Sequence, residues 1–234
     1  MAAAVADNVA WCESVCRSLR RPTSRTSSLW TVSDPPRWYP PRITLTVEAT
    51  AADALAGLSD GAVSWVKDSY GTLDELDEHG FTPVVHASWV HRPPESAVPI
   101  PGWSLVQSMD ELAEWAEASG TTGVVTAALL ADPGIRLVGV PEGERLGAGA
   151  ALSCGTDVVG VSNVFSDGPA PERVWALVTA AATHLFPGRD LVGYESGSDL
   201  DAAQRVGFSP VGDLRIWRRP ARSPQTRMHP RPAG

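Results

Sequence analysis

The segment from Leu191 to Trp217 constrains the fold of this chain more than any other. It reads Leu-Val-Gly-Tyr-Glu, then Ser-Gly-Ser-Asp, then Leu-Asp-Ala-Ala-Gln-Arg-Val-Gly-Phe, and closes with Ser-Pro-Val-Gly-Asp-Leu-Arg-Ile-Trp. A short apolar strand, a short helix, a Gly-Phe stop and a returning strand account for that order. Asp199 is the expected N-cap, because a carboxylate accepts the amide hydrogens that a first helical turn leaves unpaired. Gly207 suits the position just past the helix, since it enters the left-handed region without a Cβ clash. Beyond Phe208, Val211, Leu214 and Ile216 are placed to face a core, with turn or bulge freedom at Pro210 and Gly212.

The same unit is echoed earlier in the chain. Val66-Lys-Asp-Ser, a helical stretch, Gly80-Phe81, Thr82-Pro83-Val84 and Trp89-Val-His-Arg92-Pro93 parallel Gly193-Tyr-Glu-Ser, a helix, Gly207-Phe208, Ser209-Pro210-Val211 and Ile216-Trp-Arg-Arg219-Pro220. Setting Gly80 on Gly207 also aligns Pro83 with Pro210, Leu73 with Leu200, Arg92 with Arg219 and Pro93 with Pro220. Duplication predicts matches of this density. The other reading is the shared grammar of any strand-helix-strand unit.

At 234 residues and 43% apolar content, the chain has room for a real core in one large domain or two small ones. The proline-rich run 94–102 reads as a linker. It separates an N-terminal half, 1–93, from a C-terminal domain, 103–217. Residues 218–234 are rich in Arg and Pro with almost no apolar content, and read as a disordered basic tail.

Within the first half, Asp7 to Leu19 has helical spacing, with Asp7 or Asn8 as cap and Trp11, Cys12, Val15, Cys16 and Leu19 as an inward stripe. Ser28 to Ser33 and Ile43 to Val47 read as strands. Trp38 and Tyr39 read as anchors of the stiff loop 34–41, or as the lining of a pocket. Thr50 and Asp53 form a capping-box pattern. Gly61 to Tyr70 and Thr82 to Val90 read as strands around a short acidic helix, Leu73 to His79. In the second half, Ser108 caps a helix over Met109 to Ala118, and Ala127 to Leu130 is a further helical turn. Ile135–Val140, Leu146–Ser153 and Val158–Phe165 form an antiparallel meander, and Pro171 to Phe186 is a helix.

Charge and cysteine content exclude several function classes. The formal net charge is −8, and all 27 acidic residues lie at or before Asp213, so the folded body is poorly suited to phosphate-backbone binding and no nucleic-acid partner is expected. Cys12, Cys16 and Cys154 read as buried small residues, and the five histidines supply no zinc-ligand spacing, so no metal is expected. The odd, low cysteine count suits a reducing cytoplasm. No signal peptide and no run of about 20 apolar residues is present, so no membrane role is expected.

From Trp103 onward the order is helix, strand, strand, strand, helix, strand, helix, strand. This order, with the Gly207-Phe208 junction, resembles the GNAT acyltransferase superfamily over roughly half of the chain. The resemblance implies an α/β (α+β) fold with a mixed, mostly antiparallel central sheet flanked by helices, here in two tandem GNAT-like halves of which the first is degenerate. It implies transfer of an acetyl or acyl group from acetyl-CoA, or another acyl-CoA, to a small-molecule or peptide amine. In that family two neighbouring strands splay and the pantetheine enters the gap. The matching strands are Gly160–Phe165 and Leu191–Glu195. The resemblance therefore places acyl-CoA contacts at Ser162, Asn163, Val164 and Phe165, with Gly168, Arg173 and Ser196 near the phosphates and the helix that follows.

Three departures bear on the chemistry. The family's Gly-rich phosphate loop is replaced by Ser166-Asp-Gly-Pro-Ala-Pro-Glu-Arg173, in which two prolines remove amide donors. The tyrosine that many members use as general acid is Ala203, and Leu76 in the first copy. The Asn often found after the fifth strand falls within Ser196-Gly-Ser198. Glu195 is the candidate general base, with capping of the next helix as its other reading. Two functions follow: an acyl-CoA-dependent N-acyltransferase, or a catalytically degenerate protein of the same fold that binds a ligand or a protein. The sequence does not set the oligomeric state.

Overall fold

The structure, a computed structural model, describes residues 1–58, 64–95, 100–143, 145–155, 157–168 and 170–221. Gly61 to Val63, part of the linker (96–99) and most of the tail (222–234) lie outside the described residues.

Among the described residues eleven strands form one mixed, mostly antiparallel sheet. In chain order they are β1 (Thr23–Arg25), β2 (Leu29–Val32), β3 (Arg42–Thr44), β4 (Ser64–Asp68), β5 (Thr82–Arg92), β6 (Ser104–Leu105), β7 (Ile135–Glu142), β8 (Arg145–Cys154), β9 (Val158–Ser166), β10 (Asp190–Glu195) and β11 (Ser209–Arg219). Their order across the sheet is β1-β2-β3-β4-β11-β5-β10-β9-β8-β7-β6. The break at 94–102 is a break in the chain and not in the sheet, because β5 lies between β11 and β10. The β7-β8-β9 meander forms as its alternation predicts.

The two echoed units interleave. Pairing of β10 with β5 sets Leu191, Val192, Gly193, Tyr194 and Glu195 opposite Arg92, His91, Val90, Trp89 and Ser88. The equivalent residues of the other unit, Ser64 to Asp68, sit opposite Arg219, Arg218, Trp217, Ile216 and Arg215. The register matches at every position when Gly80 is set on Gly207. Ala87 pairs with Leu214, its own equivalent, so an approximate twofold axis passes through that pair. Cross-unit contacts follow the same symmetry. Arg92 Nε donates to Val206 O beside Gly207, and the Arg219 guanidinium lies 5.1 Å from the Phe81 ring beside Gly80.

Helices cover both faces. On one face lie α2 (Ala51–Leu55), a 3₁₀ turn (Asp74–Leu76), α5 (Pro171–Leu185) and α6 (Gly197–Arg205). Trp175, Val178, Ala202, Ala203 and Phe208 pack there with Val90, Val159 and Leu191. The opposite face carries α1 (Ala2–Ser18), α3 (Met109–Ala118) and α4 (Ala127–Leu130). There Trp11, Val15, Trp115 and Leu129 share a core with Trp30, Ile43 and Leu137. The capping boxes at Thr50/Asp53 and Ser108/Glu111 both form. Among the described residues no helix is long and apolar enough to cross a membrane.

Four local expectations are corrected. Ser196, not Asp199, is the N-cap of α6, and it makes no side-chain cap bond. The C-terminal end of α6 does form as expected: Phe208 N donates to Ala203 O and Gly207 N to Gln204 O, with Gly207 at φ 94°. The acidic helix after β4 is only a 3₁₀ turn, because the Asp68 carboxylate takes the Thr72 and Leu73 amides and fixes the chain there. β11 continues through Arg219, so Arg218 and Arg219 belong to the sheet and not to the tail.

The fourth correction concerns α1. It begins at Ala2, so Asp7 and Asn8 lie inside the helix and are buried, and neither caps it. Asp7 instead docks α1 on the sheet. Ser153 Oγ donates to Asp7 Oδ2 at 2.9 Å, and the Gly160 amide also bonds to the carboxylate. A Cβ on Gly160 would lie 1.8 Å from Asp7 Oδ2, so only glycine admits this contact. Burial drives the Asp7 pKa up to about 7 against the opposing hydrogen bonds. The native carboxyl therefore holds a proton that the unfolded chain releases near its ordinary value of about 4, and stability falls as pH rises from about 4 to about 7. Asp7→Asn removes that dependence. Its stability in thermal unfolding should match the parent near pH 4 and exceed it near pH 8 by on the order of a few kcal/mol, read as a higher melting temperature.

Candidate active site

Parallel β9 and β10 pair at only three positions, Val158–Asp190, Val159–Leu191 and Gly160–Val192. At the next position a Cβ on Gly193 would meet Val161 O at 2.7 Å, so the strands touch there through glycine. Beyond it they part. The cause lies in β9, whose register with β8 shifts opposite Gly149 and Ala151, and whose Asn163 takes φ 51°. This is a bulge that bends the strand away from its neighbour. Gly149 makes room for it, since a Cβ there would meet Val138 O at 2.4 Å and the Phe165 ring at 3.0 Å. From Val161 onward, no strand of the described residues pairs with the β10-facing edge of β9.

The gap opens into a cavity of about 390 Å³. β9 contributes Val161 to Phe165, β10 Tyr194 and Glu195, and α1 Asn8, Trp11 and Cys12. Trp38, Tyr39, Pro40, Ser119, Thr121 and Lys67 complete the wall. Five of the expected residues therefore meet here: Ser162, Asn163, Val164, Phe165 and Glu195. Ser196 lines a neighbouring pocket on the α6 side, which Glu195 also borders. Gly168 and Arg173 lie outside the cavity, Gly168 on the turn that leads into α5 and Arg173, exposed, on the first turn of that helix.

Glu195 ends β10, and its carboxyl makes no hydrogen bond or ion pair among the described residues, so it does not cap α6. Burial first, then the Asp199 carboxylate, push its carboxyl up to about 8. Its equivalent in the other unit, Asp68, is occupied by two amides and by Arg215 at 3.4 Å. One copy uses its acid as a structural cap and the other leaves it free.

Sequence reasoning missed Lys67. It is the sole lysine among 19 basic residues, and that bias was the available signal. Its side chain is buried, Nζ donates to Asn8 Oδ1 at 2.7 Å, and the Tyr194 and Trp89 rings lie 3.6 and 4.7 Å away. Burial pulls its pKa down to about 7. The Tyr39 hydroxyl accepts from Trp11 Nε1 at 3.0 Å and bonds the Asn163 side chain. Burial raises the pKa of both cavity phenols, Tyr39 and Tyr194, above the ordinary tyrosine value. Trp38 does not anchor its loop: it is 71% exposed at the rim, with φ 74°. Ala203 is buried in the core, so no phenol stands on α6. Cys12 is buried with its thiol pushed up to about 12, which suits a packing role. No group of three or more metal-ligating side chains occurs among the described residues.

The turn into α5 offers few amide donors to an anion. The Asp167 amide bonds Gly147 O, the Gly168 amide bonds Ser166 Oγ, and the Arg173 and Val174 amides return to Ala170 O. Pro169 and Pro171 have none. Arg205 of α6 pairs with Glu172 on the first turn of α5 and offsets its charge, leaving Arg173 as a second cation nearby.

No family model matches the sequence, and no curated protein matches it. Solved structures match in fold. A GCN5-related N-acetyltransferase from Kribbella flavida superposes at a TM-score of 0.64, with 16% identity, over 93% of this chain and 96% of that one. A protein assigned to the GNAT family from Novosphingobium aromaticivorans gives 0.54 and 16%, over 89% and 97%. A functionally unknown conserved protein from Staphylococcus epidermidis gives 0.54 and 9%, over 68% and 73%. The chain has the GNAT fold, and the first two matches run through both of its halves. A fold does not by itself assign an activity.

The bulge that opens the cavity depends on the left-handed residue Asn163. Asn163→Gly should be tolerated. Asn163→Val should cost about 1–2 kcal/mol in chemical denaturation, because a β-branched residue is strained at that φ.

Proposed function

We propose that this chain is an acyl-CoA-dependent N-acyltransferase acting on a primary amine, with Glu195 as general base. The observation that carries this reading is the gap between β9 and β10, with an unpaired strand edge on one side and, on the other, an unpartnered carboxyl whose pKa burial pushes up. The edge from Val161 to Phe165 suits the amides of a pantetheine arm, and its N–H groups suit the oxyanion of a thioester under attack. In its ionised form Glu195 takes a proton from the substrate ammonium. The freed amine adds to the thioester carbonyl, a C–N bond forms, the nitrogen passes its surplus proton to water, the C–S bond breaks, and the sulfur leaves as thiolate. With Ala203 in place of a phenol on α6, the thiolate takes its proton from water; a thiol pKa near 8.5 makes this departure feasible.

The acyl end of an acyl-CoA fits these residues. At the phosphate end, Arg205 is held by Glu172, and the exposed Arg173 side chain takes the role that backbone amides fill in a glycine-rich loop. That scarcity of amides favours the second reading, a GNAT-fold protein that binds a ligand or partner without catalysis. The matching registers of the two strand units support duplication of a GNAT-like unit, with 1–93 as a degenerate half, 94–102 as its link and 103–217 as the half that supplies the parted strands and Glu195. A cytoplasmic enzyme of this class would draw on acetyl-CoA or another acyl-CoA.

Acetyl-CoA should raise the melting temperature of the protein by mass action, and Gly168→Glu should remove that shift by adding charge where Glu142 already lies close. Absence of a shift at millimolar acetyl-CoA in the parent protein would favour the non-catalytic reading. Acyl transfer to an amine should rise with pH through about 8, as Glu195 ionises. Glu195→Gln should lower kcat by about 100-fold or more and flatten that rise; an unchanged profile in the variant would remove Glu195 from the role.

A further inference from the structure

The cavity wall contains a charged group for which the acyl-transfer chemistry has no use. Lys67 reaches the cavity from β4, and its side chain is 2% exposed. No carboxylate of the described residues pairs with it. Asp7 of α1, next to Asn8 in the chain, is turned toward Ser153 and Gly160. Position 8 is an asparagine, which accepts one N–H from Nζ and brings no countercharge. The Tyr194 and Trp89 rings stabilise a cation through their π faces but are also uncharged. A buried ammonium with no countercharge is costly, and a purely structural lysine here would gain from replacement by an apolar residue. The other 18 basic residues of the chain are arginines, so this one position keeps the compact amine.

We propose that Lys67 and Asn8 form a carboxylate subsite, so that one of the two substrates meeting in this cavity carries a carboxylate near its reacting group. The ammonium supplies the charge, and the Asn8 amide orients it and offers its own N–H donors. Two sources present this chemistry: the acceptor, as in an α-amino acid, or the acyl group, as in a dicarboxylic acyl-CoA. The aromatic side chains of Trp11, Tyr39, Phe165 and Tyr194 in the same wall fit a substrate with an apolar body. With one free carboxyl, Glu195, and one cation in its wall, the cavity is unsuited to polycationic acceptors. The identity of these ligands rests on the acyltransferase reading, whereas the subsite itself rests on Lys67 and Asn8. In the free protein the amine is pulled down to about 7, so a bound carboxylate should raise its titration midpoint.

The 234-residue chain labelled with lysine enriched at the ε-carbon gives one side-chain resonance, which reports on Lys67 alone. Two ligand pairs locate the carboxylate: phenylalanine against phenethylamine, and succinyl-CoA against acetyl-CoA. In at least one pair the carboxylate-bearing member should bind about tenfold or more tightly by calorimetry, a difference of about 1.4 kcal/mol, and should shift the Lys67 titration upward. Preference in the first pair assigns the carboxylate to the acceptor, and preference in the second to the acyl group. Lys67→Met, which keeps the apolar stem, should abolish the preference. Asn8→Asp, which gives Lys67 an internal partner, should abolish it too and covers the case in which Lys67→Met fails to fold. No preference in either pair, or a preference that survives in the folded variants, overturns the proposal. A carboxylate preference without any acyl transfer would overturn the proposed activity and leave the subsite standing; acyl transfer without the preference would do the reverse.

Discussion

Much of this structure depends on one interaction that stops early: the parallel pairing of β9 and β10 ends after three residue pairs. A sheet that opens in its interior leaves backbone donors and acceptors without strand partners, and such groups are costly unless water or a ligand meets them. The opening is therefore held from both sides. β8 carries β9 past the bulge at Asn163, and β5 carries β10 along its length. α1 covers the adjacent face, fixed there by Asp7 against Ser153 and Gly160. The cavity follows from this support.

The support for β10 comes from the other half of the chain. β5 belongs to the first echoed unit and lies between the two strands of the second, so neither unit completes its sheet alone. Equal register in the two units makes the Asp68–Glu195 comparison informative. Asp68 is short enough to stay against the chain and takes the Thr72 and Leu73 amides. Glu195 is followed by Ser196-Gly197 and a longer helix, and its carboxyl is left at the edge of the gap. The same strand position holds a structural acid in one unit and a free one in the other.

Much of the architecture was legible in the sequence because it rests on local rules. The capping boxes at Thr50/Asp53 and Ser108/Glu111, the Gly207 stop and the meander all follow from short-range chemistry or strand alternation. The echo of 66–93 in 193–220 could be read as an alignment, but not as an interleaving, since strand order across a sheet is not a local property. The site was legible in part. Ser162 to Phe165 and Glu195 follow from the resemblance of the strand order to the GNAT pattern, and Tyr39 from its aromatic loop, whereas Lys67, Asn8 and Trp11 come from elements far away in the chain. Asp7 and Asn8 read as caps because polar residues at a helix start usually are, and only packing shows that α1 begins five residues earlier.

The sequence by itself determined the elements, their ends and the repeated unit, because caps, glycine stops and alternation act over a few residues. Tertiary structure alone decided which groups face the gap and in what electrostatic state. Lys67 is an ordinary strand residue until α1 buries it beside Asn8, and Glu195 is a helix-capping candidate until the parting of β9 from β10 leaves its carboxyl unpartnered. Burial and countercharge are properties of neighbours brought together from different elements, and they set the chemistry that the linear order leaves open.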